Sequence, residues 1–263
     1  MSPKIEFVKA TACGNDFIII DGSLVAAERQ HEITRQICHR HLGVGADGVE
    51  WLFPTDQADI EARLINSDGS DAEVSGNGTR CVAAWIAHEQ KKEAVRVLTG
   101  AGVKICTLTS ASGTEYGFRS DMGEAKIEGE ISLPLSTGEC RGIRLSVGNP
   151  QFIVFKDEFA SDWQKEAAEI EGHPTFPHRT NVEFVRVVGE HEIDIRIYER
   201  GAGETMSSGT GSCASAIASI YTGRGKSPVK VVSPGGPQTV AWDGKRITLD
   251  GPARIVCTGE FFL

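Results

Sequence analysis

Short β-type runs dominate the pattern of apolar and polar positions. They predict strands over Lys4–Ala10, Phe17–Asp21, Ile60–Ile65, Val95–Leu98 and Val103–Thr109, and again over Ile153–Phe155, Val182–Val188, Glu192–Tyr198, Val229–Ser233 and Arg246–Leu249. Gly, Asp, Asn and Pro punctuate the gaps, as turns require. Helical spacing is rarer and predicts Val25–His41, Gly78–Lys91, Ser161–Glu171 and Gly211–Gly223. Both kinds of element recur in both halves, which reads as an α+β chain.

The halves also resemble each other. ARLINSDGSDAEVSGNGTRCVAA (62–84) aligns with IRIYERGAGETMSSGTGSCASA (195–216) at an offset of about 133. Arg63 then meets Arg196, Asn66 meets Glu199, Ser75 meets Ser208, and Gly76-Asn77-Gly78 meets Gly209-Thr210-Gly211. At an offset of 134, CGNDFIII (13–20) resembles VGNPQFIVF (147–155). Two matches in the same order favour a duplication, and a missed repeat mis-assigns a whole fold. We therefore expect two similar domains, 1–115 and 116–263, meeting in the polar stretch Ser110–Gly117, with a C-terminal strand near 254–263 as a candidate to return to the first.

Composition narrows the function without naming it. The 263 residues suit two domains of roughly 130. At 40% hydrophobic and 24% charged, the chain is ordinary for a folded protein. Its 27 basic against 36 acidic residues leave a net charge of −9, which argues against nucleic acid or an anionic membrane as partner. No stretch approaches the ~20 apolar residues of a membrane span, and MSPKIEFVKATACGNDF lacks the apolar core of a secretory signal. The expected location is cytoplasmic. The seven cysteines never lie closer than 25 residues apart, so no CxxC pair exists, and their odd number argues against a disulfide framework. ICHRH groups Cys38, His39 and His41, but residues 39 and 41 do not share a helix face, so no metal site is expected. EQKKEAVR (89–96) is a solvated helix end.

The candidate chemistry lies at the two Gly-x-Gly triplets. Each sits where the chain enters a helix, and a helix N-terminus with exposed amides attracts a carboxylate or phosphate. Neither triplet fits the dinucleotide or P-loop pattern. Ser75 and Ser208 precede them, and serine there is first of all a good helix cap. Around them stand Asn15, Asn66, Asn149, Asn181, Glu199 and Arg200. Arg grips a carboxylate bidentately, Glu accepts from an ammonium and Asn serves either, so the set suits a zwitterion. Taken singly, the asparagines are also turn formers and Glu199-Arg200 a surface pair.

These blocks resemble the diaminopimelate epimerases and, more broadly, the cofactor-independent amino-acid racemases of that fold. The resemblance rests on GNDFIIIDG (14–22), HLGVGADGV (41–49), NSDGSDAEVSGNGTRC (66–81), GNP (148–150), TNVEF (180–184) and YERGAGETMSSGTGSCA (198–214). It implies two pseudo-symmetric domains, each a curved sheet or barrel around a central helix, with the active site in the cleft between them. It also implies an isomerase of lysine and peptidoglycan precursor synthesis that interconverts LL- and meso-diaminopimelate by two-base proton transfer, as a homodimer and without cofactor. Residue by residue, Gly76, Asn77, Gly209 and Thr210 would hold the reacting end, and Asn15, Asn66, Asn149, Asn181, Glu199 and Arg200 would bind the rest of the substrate. The family places cysteine before each triplet; this chain has Ser75 and Ser208 at those catalytic positions. Gln151 also stands where histidine commonly follows GNP. An alcohol titrates several units above a thiol, whose reference pKa is about 8.5, so this Ser/Ser form is expected to be weakly active or inactive. Cys81 and Cys213, further along each helix, are expected to pack the core, and Cys13 is the cysteine placed to approach the pocket. A lyase or dehydratase of the same fold and a non-catalytic diaminopimelate-binding homologue stay open beside the epimerase, which YERGAGET and TNVEF favour.

Overall fold

The computed structural model describes residues 4–263; the first three residues of the expected N-terminal domain lie outside it. The chain divides into two compact units, one running through Ser120 and including Gly251–Leu263, the other Asp121–Asp250. The first contains β1 (Lys4–Ala12), β2 (Asn15–Asp21), α1 (Ala27–Cys38), β3 (Gly48–Phe53), β4 (Ile60–Asn66), β5 (Asp71–Ala72), α2 (Gly76–Gln90), β6 (Ala94–Thr99) and β7 (Gly102–Ser112). Strand β8 (Glu115–Glu124) carries the chain into the second unit. There follow β9 (Lys126–Leu135), β10 (Gly138–Ser146), β11 (Pro150–Phe155), α3 (Trp163–Glu171), β12 (Asn181–Gly189), β13 (Glu192–Glu199), β14 (Gly203–Thr205), α4 (Gly209–Tyr221), β15 (Val229–Ser233) and β16 (Gly236–Trp242), and β17 (Arg246–Phe262) leads back.

The repeat seen in the sequence is a repeat of pairings. In the first unit β1 pairs antiparallel with β2, β2 parallel with β3, β3 antiparallel with β4, and β4 antiparallel with β5 but parallel with β6, from which β7 and β8 continue antiparallel. In the second unit β10, β11, β12, β13, β14, β15, β16 and β17 reproduce those pairings in the same order. Each parallel pair needs a crossover; α1 and α2 supply it in one unit, α3 and α4 in the other. Strand β17 runs beside β1, from Thr11 opposite Arg254 to Lys4 opposite Phe262. It also pairs with β8, and Ile255 N donates to Thr114 O at 2.9 Å, which closes the sheet of the first unit on itself.

Within each unit one helix is enclosed and one lies outside. Thr79 through Ala84 of α2 and Gly211 through Ser219 of α4 are buried without a break, so both helices are covered on all faces. Small residues permit that enclosure: Ala83, Ala84 and Ala87 in α2, and Ala214, Ala216 and Ala218 in α4, all inside the apolar cores. Cys81 and Cys213 pack in the same cores. Helices α1 and α3 instead bury one face, Ile33, Ile37 and Cys38 against Val49 and Trp51, and Trp163, Ala167 and Ile170 against Phe152 and Phe184. Strands β3 and β12 are therefore sandwiched between two helices, and successive side chains along them face opposite layers. Val49 and Trp51 face α1 while Leu52 faces α2; Val182 and Phe184 face α3 while Val185 faces α4.

All four helices coincide with the helical spacing, but α2 and α4 start at Gly76 and Gly209, two residues before the expected Gly78 and Gly211, because the serine before each triplet is itself the cap. Strands β3, β5, β8, β9, β10, β14 and β16 have no counterpart among the expected runs. The polar stretch 110–117 is the end of β7, a turn, and the start of β8. Enclosure makes the small residues exacting: Ala84→Leu or Ala216→Leu, at sites 0% exposed, should overpack the core and lower unfolding free energy by about 1–3 kcal/mol in urea melts.

Candidate active site

Ser75 caps α2. Its backbone is extended (φ −121°, ψ 123°) and its hydroxyl oxygen accepts from Gly78 N at 3.1 Å, while its carbonyl accepts from Thr79 N and Thr79 Oγ1, both at 2.8 Å. Behind this turn a polar chain fixes the first residues of the helix. Asn77 Nδ2 donates to Asn15 Oδ1 (2.7 Å), Asn15 Nδ2 donates to Asp47 Oδ2 (3.0 Å), and Asp47 Oδ1 receives Arg40 Nη2 (2.7 Å). Arg80 is 1% exposed; its Nη2 donates to Asn77 Oδ1 and, at 3.8 Å, to Cys13 Sγ. Burial alone would raise the Asp16 carboxyl, but hydrogen bonds and charge from Arg40 and Lys9 hold it below its ordinary range.

Ser208 repeats the arrangement at α4. Its backbone is extended (φ −140°, ψ 126°), and its hydroxyl accepts from Gly211 N at 3.2 Å and lies 3.4 Å from Thr210 Oγ1. Asn149 Nδ2 donates to Thr210 Oγ1 (3.3 Å), as Asn15 contacts Asn77 in the first unit. Asn181 Nδ2 donates to Pro150 O (3.2 Å) and its Oδ1 accepts from Arg200 N (2.9 Å). Glu199 and Arg200 do not form the surface pair considered above. Thr205 Oγ1 donates to Glu199 Oε1 (2.7 Å), whereas Arg200 Nη1 donates to His178 O (3.1 Å). Burial raises the Glu199 pKa, against the lowering hydrogen bond of Thr205.

The expected residues thus gather at the two helix starts, Asn15, Ser75, Gly76 and Asn77 at one, Asn149, Asn181, Glu199, Arg200, Ser208, Gly209 and Thr210 at the other. Asn66 is apart from these chains: it donates to Ser70 Oγ (3.0 Å) and closes its own turn. Cys13 is buried against Arg80, and six of the seven cysteines are buried, with only Cys257 exposed. Among the described residues no group of His, Cys, Asp and Glu has the arrangement of a metal site.

Two residues had not been singled out from the sequence, Glu50 on β3 and Glu183 on β12. They are 3% and 0% exposed, on the layer facing α2 and α4. A Cβ at Gly78 would collide with Glu50 Oε1 and lie 3.3 Å from Ser75 Cβ; one at Gly211 would lie 2.6 Å from Glu183 Oε1 and 3.2 Å from Ser208 Cβ. Each carboxyl is therefore separated from its serine by the room of one absent methyl group. The signal was available: the offset of 133 that aligns Ser75 with Ser208 also aligns Glu50 with Glu183 and Gly78 with Gly211.

Both carboxyls favour the neutral form. Desolvation by burial pushes Glu50 up to about 8. Burial, followed by the charge of Glu199, pushes Glu183 well above the ordinary range. The amide of Gln151, on β11 beside β12, meets the Glu183 carboxyl directly. Its Nε2 donates to the two Glu183 oxygens at 2.9 and 3.1 Å, while its Oε1 accepts from Asn181 Nδ2 and Thr210 Oγ1, both at 3.2 Å.

A carboxyl that titrates higher in the folded chain than in the unfolded one retains a proton that unfolding releases. Its contribution therefore declines as pH rises, here from about 4.5 to about 8 for Glu50. The slope is ~1.4 kcal/mol per pH unit for one group. Glu50→Gln should remove that slope, so urea melts of the two proteins at pH 5, 6.5 and 8 should diverge in favour of the variant as pH rises. Parallel pH dependence would show that Glu50 enters the fold ionised.

Comparison with known proteins places this geometry. The family model described as diaminopimelate epimerase matches residues 7–128 and 144–256. A diaminopimelate epimerase of Pelotomaculum thermopropionicum is 40% identical, with 98% of this chain and 99% of that protein covered. One from Heliobacterium modesticaldum is 37% identical over 97% and 99%. Among solved structures, a PhzF-family phenazine biosynthesis protein of Bacillus anthracis superposes with a TM-score of 0.76 at 15% identity, covering 99% of this chain and 100% of that one. A hydroxyproline epimerase of Agrobacterium vitis gives 0.69 at 17%, covering 98% and 90%. The solved structures share the fold, and the sequence relatives fix the branch: the chain belongs to the diaminopimelate epimerase family.

Proposed function

We propose that this protein is an amino-acid epimerase acting on diaminopimelate by two-base proton transfer at the α-carbon. Ser75 and Ser208 occupy the two proton-transfer positions, one for each face of that carbon. The observation that carries the reading is the duplication of one device: in each unit a serine oxygen, 3.1 or 3.2 Å from the third amide of a buried helix, sits at the start of a Gly-x-Gly turn. Amides at a helix start favour negative charge, and the α-carboxylate gains negative charge as the α-proton leaves. Stabilising charge where it develops is the main way such a site accelerates a reaction. Gly76, Asn77, Gly209 and Thr210 hold the reacting end. Asn15, Asn66, Asn149, Asn181, Glu199 and Arg200 read the amino and carboxylate groups beyond it, Arg200 as the cationic partner of a carboxylate.

The reading extends to surroundings. The acid–base chemistry uses side chains alone and calls for no cofactor. Free thiols throughout, with no disulfide among the described residues, suit the reducing cytoplasm. The family resemblance supports a homodimer, which light scattering checks. No described helix is long and apolar enough to cross a membrane.

A serine hydroxyl is a far weaker acid than a thiol, so the Ser/Ser protein should bind diaminopimelate and turn it over slowly. Ser75→Cys/Ser208→Cys should raise α-proton exchange in deuterated water by at least ~100-fold, since each pKa unit corresponds to a factor of ten. No rise in a folded double variant that still binds diaminopimelate would sink the assignment of these two positions. Arg200→Ala should weaken diaminopimelate binding by calorimetry by ~10–100-fold, the worth of one charge-assisted contact.

A further inference from the structure

We propose that Glu50 and Glu183 are the proton-holding groups of the Ser/Ser protein, exchanging protons with the reaction site through the hydroxyls of Ser75 and Ser208. The proposal rests on the epimerase reading and supplies what that reading lacks. A serine alone is a poor base at neutral pH and needs an adjacent group to take its proton, and no His or Lys stands beside either one in the sequence.

Three observations converge. First, each carboxyl lies across the room of one missing methyl from its serine, at Gly78 in one unit and Gly211 in the other. Second, both occupy a strand position facing the apolar layer of a central helix, where an ionisable side chain is costly and its neighbours Leu52 and Val185 are aliphatic. Third, the device occurs twice in equivalent places, as a reaction that gives and takes a proton on opposite faces requires. The burial that makes these carboxyls unfavourable as ions also tunes them. A Glu near 8 is about as basic as the thiol the family uses at the serine's position. The ionisable group facing Glu50 is Cys81 on α2; Glu199 on β13 faces Glu183. Gln151 and Asn149 fix the Glu183 side, Gln151 donating to the carboxyl and Asn149 to Thr210 next to Ser208.

The step balances. Ionised Glu50 accepts the Ser75 O–H proton as Ser75 Oγ accepts the proton from the α-carbon. On the other face Ser208 gives its O–H proton to the α-carbon and is reprotonated by neutral Glu183. The α-carbon inverts, one carboxyl gains a proton and the other loses one. The opposite isomer runs the same transfers in reverse. Glu50 and Glu183 are positioning residues that act through the serines and never touch the substrate.

The test measures α-proton exchange of diaminopimelate in deuterated water across pH 6–10, for the protein and for Ser75→Cys/Ser208→Cys, each with and without Glu50→Gln or Glu183→Gln. The Ser/Ser protein should show slow exchange that climbs as Glu50 ionises toward pH 8. Either Gln substitution should lower it by at least ~100-fold, the usual worth of general acid–base catalysis, but lower the double-cysteine protein by less than ~10-fold, because a thiolate is its own base. Glu50→Asp, which retains the acid on a shorter stem, should keep the pH dependence with a reduced rate and stands in should Glu50→Gln not fold. Equal losses in the serine and cysteine backgrounds would assign the carboxyls a structural role and overturn the relay. Exchange in the double-cysteine protein with none in the Ser/Ser protein would overturn the relay and leave the epimerase reading standing. Silence in both, with diaminopimelate bound, would overturn the two together.

Discussion

A helix wrapped by strands on every side can present polar groups only at its ends, and that constraint organises each half of this molecule. Along the enclosed stretches, residues 81–84 of α2 and 213–219 of α4, the sequence is reduced to Ala, Cys, Val, Ile and Ser, packed closely against the surrounding sheet. The N-terminal amides that the helix cannot satisfy internally must be met at the rim, and Ser75 and Ser208 meet one each. The bland role of these serines and the proposed one are thus the same geometry. An oxygen that accepts from a helix amide is also an oxygen whose negative charge that amide would stabilise.

Glycine at the third position of each triplet follows from the next layer. Gly78 and Gly211 lie in helix α2 and α4, where alanine would ordinarily be favoured by about 1 kcal/mol. What forbids it is the carboxyl of Glu50 or Glu183 in the space a Cβ would take. The first glycine of each triplet is under no such pressure: nothing lies within 4 Å of a Cβ at Gly76, and at Gly209 only Leu249 and Met122 side-chain atoms do. The Gly-x-Gly signature therefore has two causes, an open approach at its first residue and a buried acid at its third.

Much of this is legible in the amino-acid sequence. The duplication, the four helices and the serine caps follow from spacing alone, because apolar periodicity and capping chemistry are local. The missed strands fail for physical reasons. In β3, GVEWLF, a glutamate interrupts the apolar run, although the strand is buried on both faces. Strand β9, KIEGEISLPL, exposes every second residue, and β8, EYGFRSDMGE, exposes Glu115, Arg119, Asp121 and Glu124, so both read as polar. The same ambiguity hid the two acids. A lone Glu in a strand ordinarily marks its solvent face, and only the layer behind the strand, supplied by a helix distant in sequence, turns that position inward. Asn66 is held at its own turn, its amide donating to Ser70.

The exchange of thiol for hydroxyl need not be a simple loss once the carboxyls are considered. A thiol combines in one atom the position of the proton acceptor and a pKa near working pH. Serine keeps the position and loses the pKa. A carboxyl in water has the wrong pKa in the other direction, too acidic to hold a proton at pH 7. Burial in the apolar layer beneath α2 raises Glu50 to about 8, close to the thiol's own value. Position and basicity are then divided between two residues separated by one glycine. The division has a consequence for the pair as a whole. Because the charged form of each acid is penalised by burial, ionising both at once is unfavourable, and the state with one carboxylate and one carboxylic acid lies between the fully neutral and fully ionised forms. A two-base epimerase needs that mixed state, one group ready to take a proton and the other ready to give it.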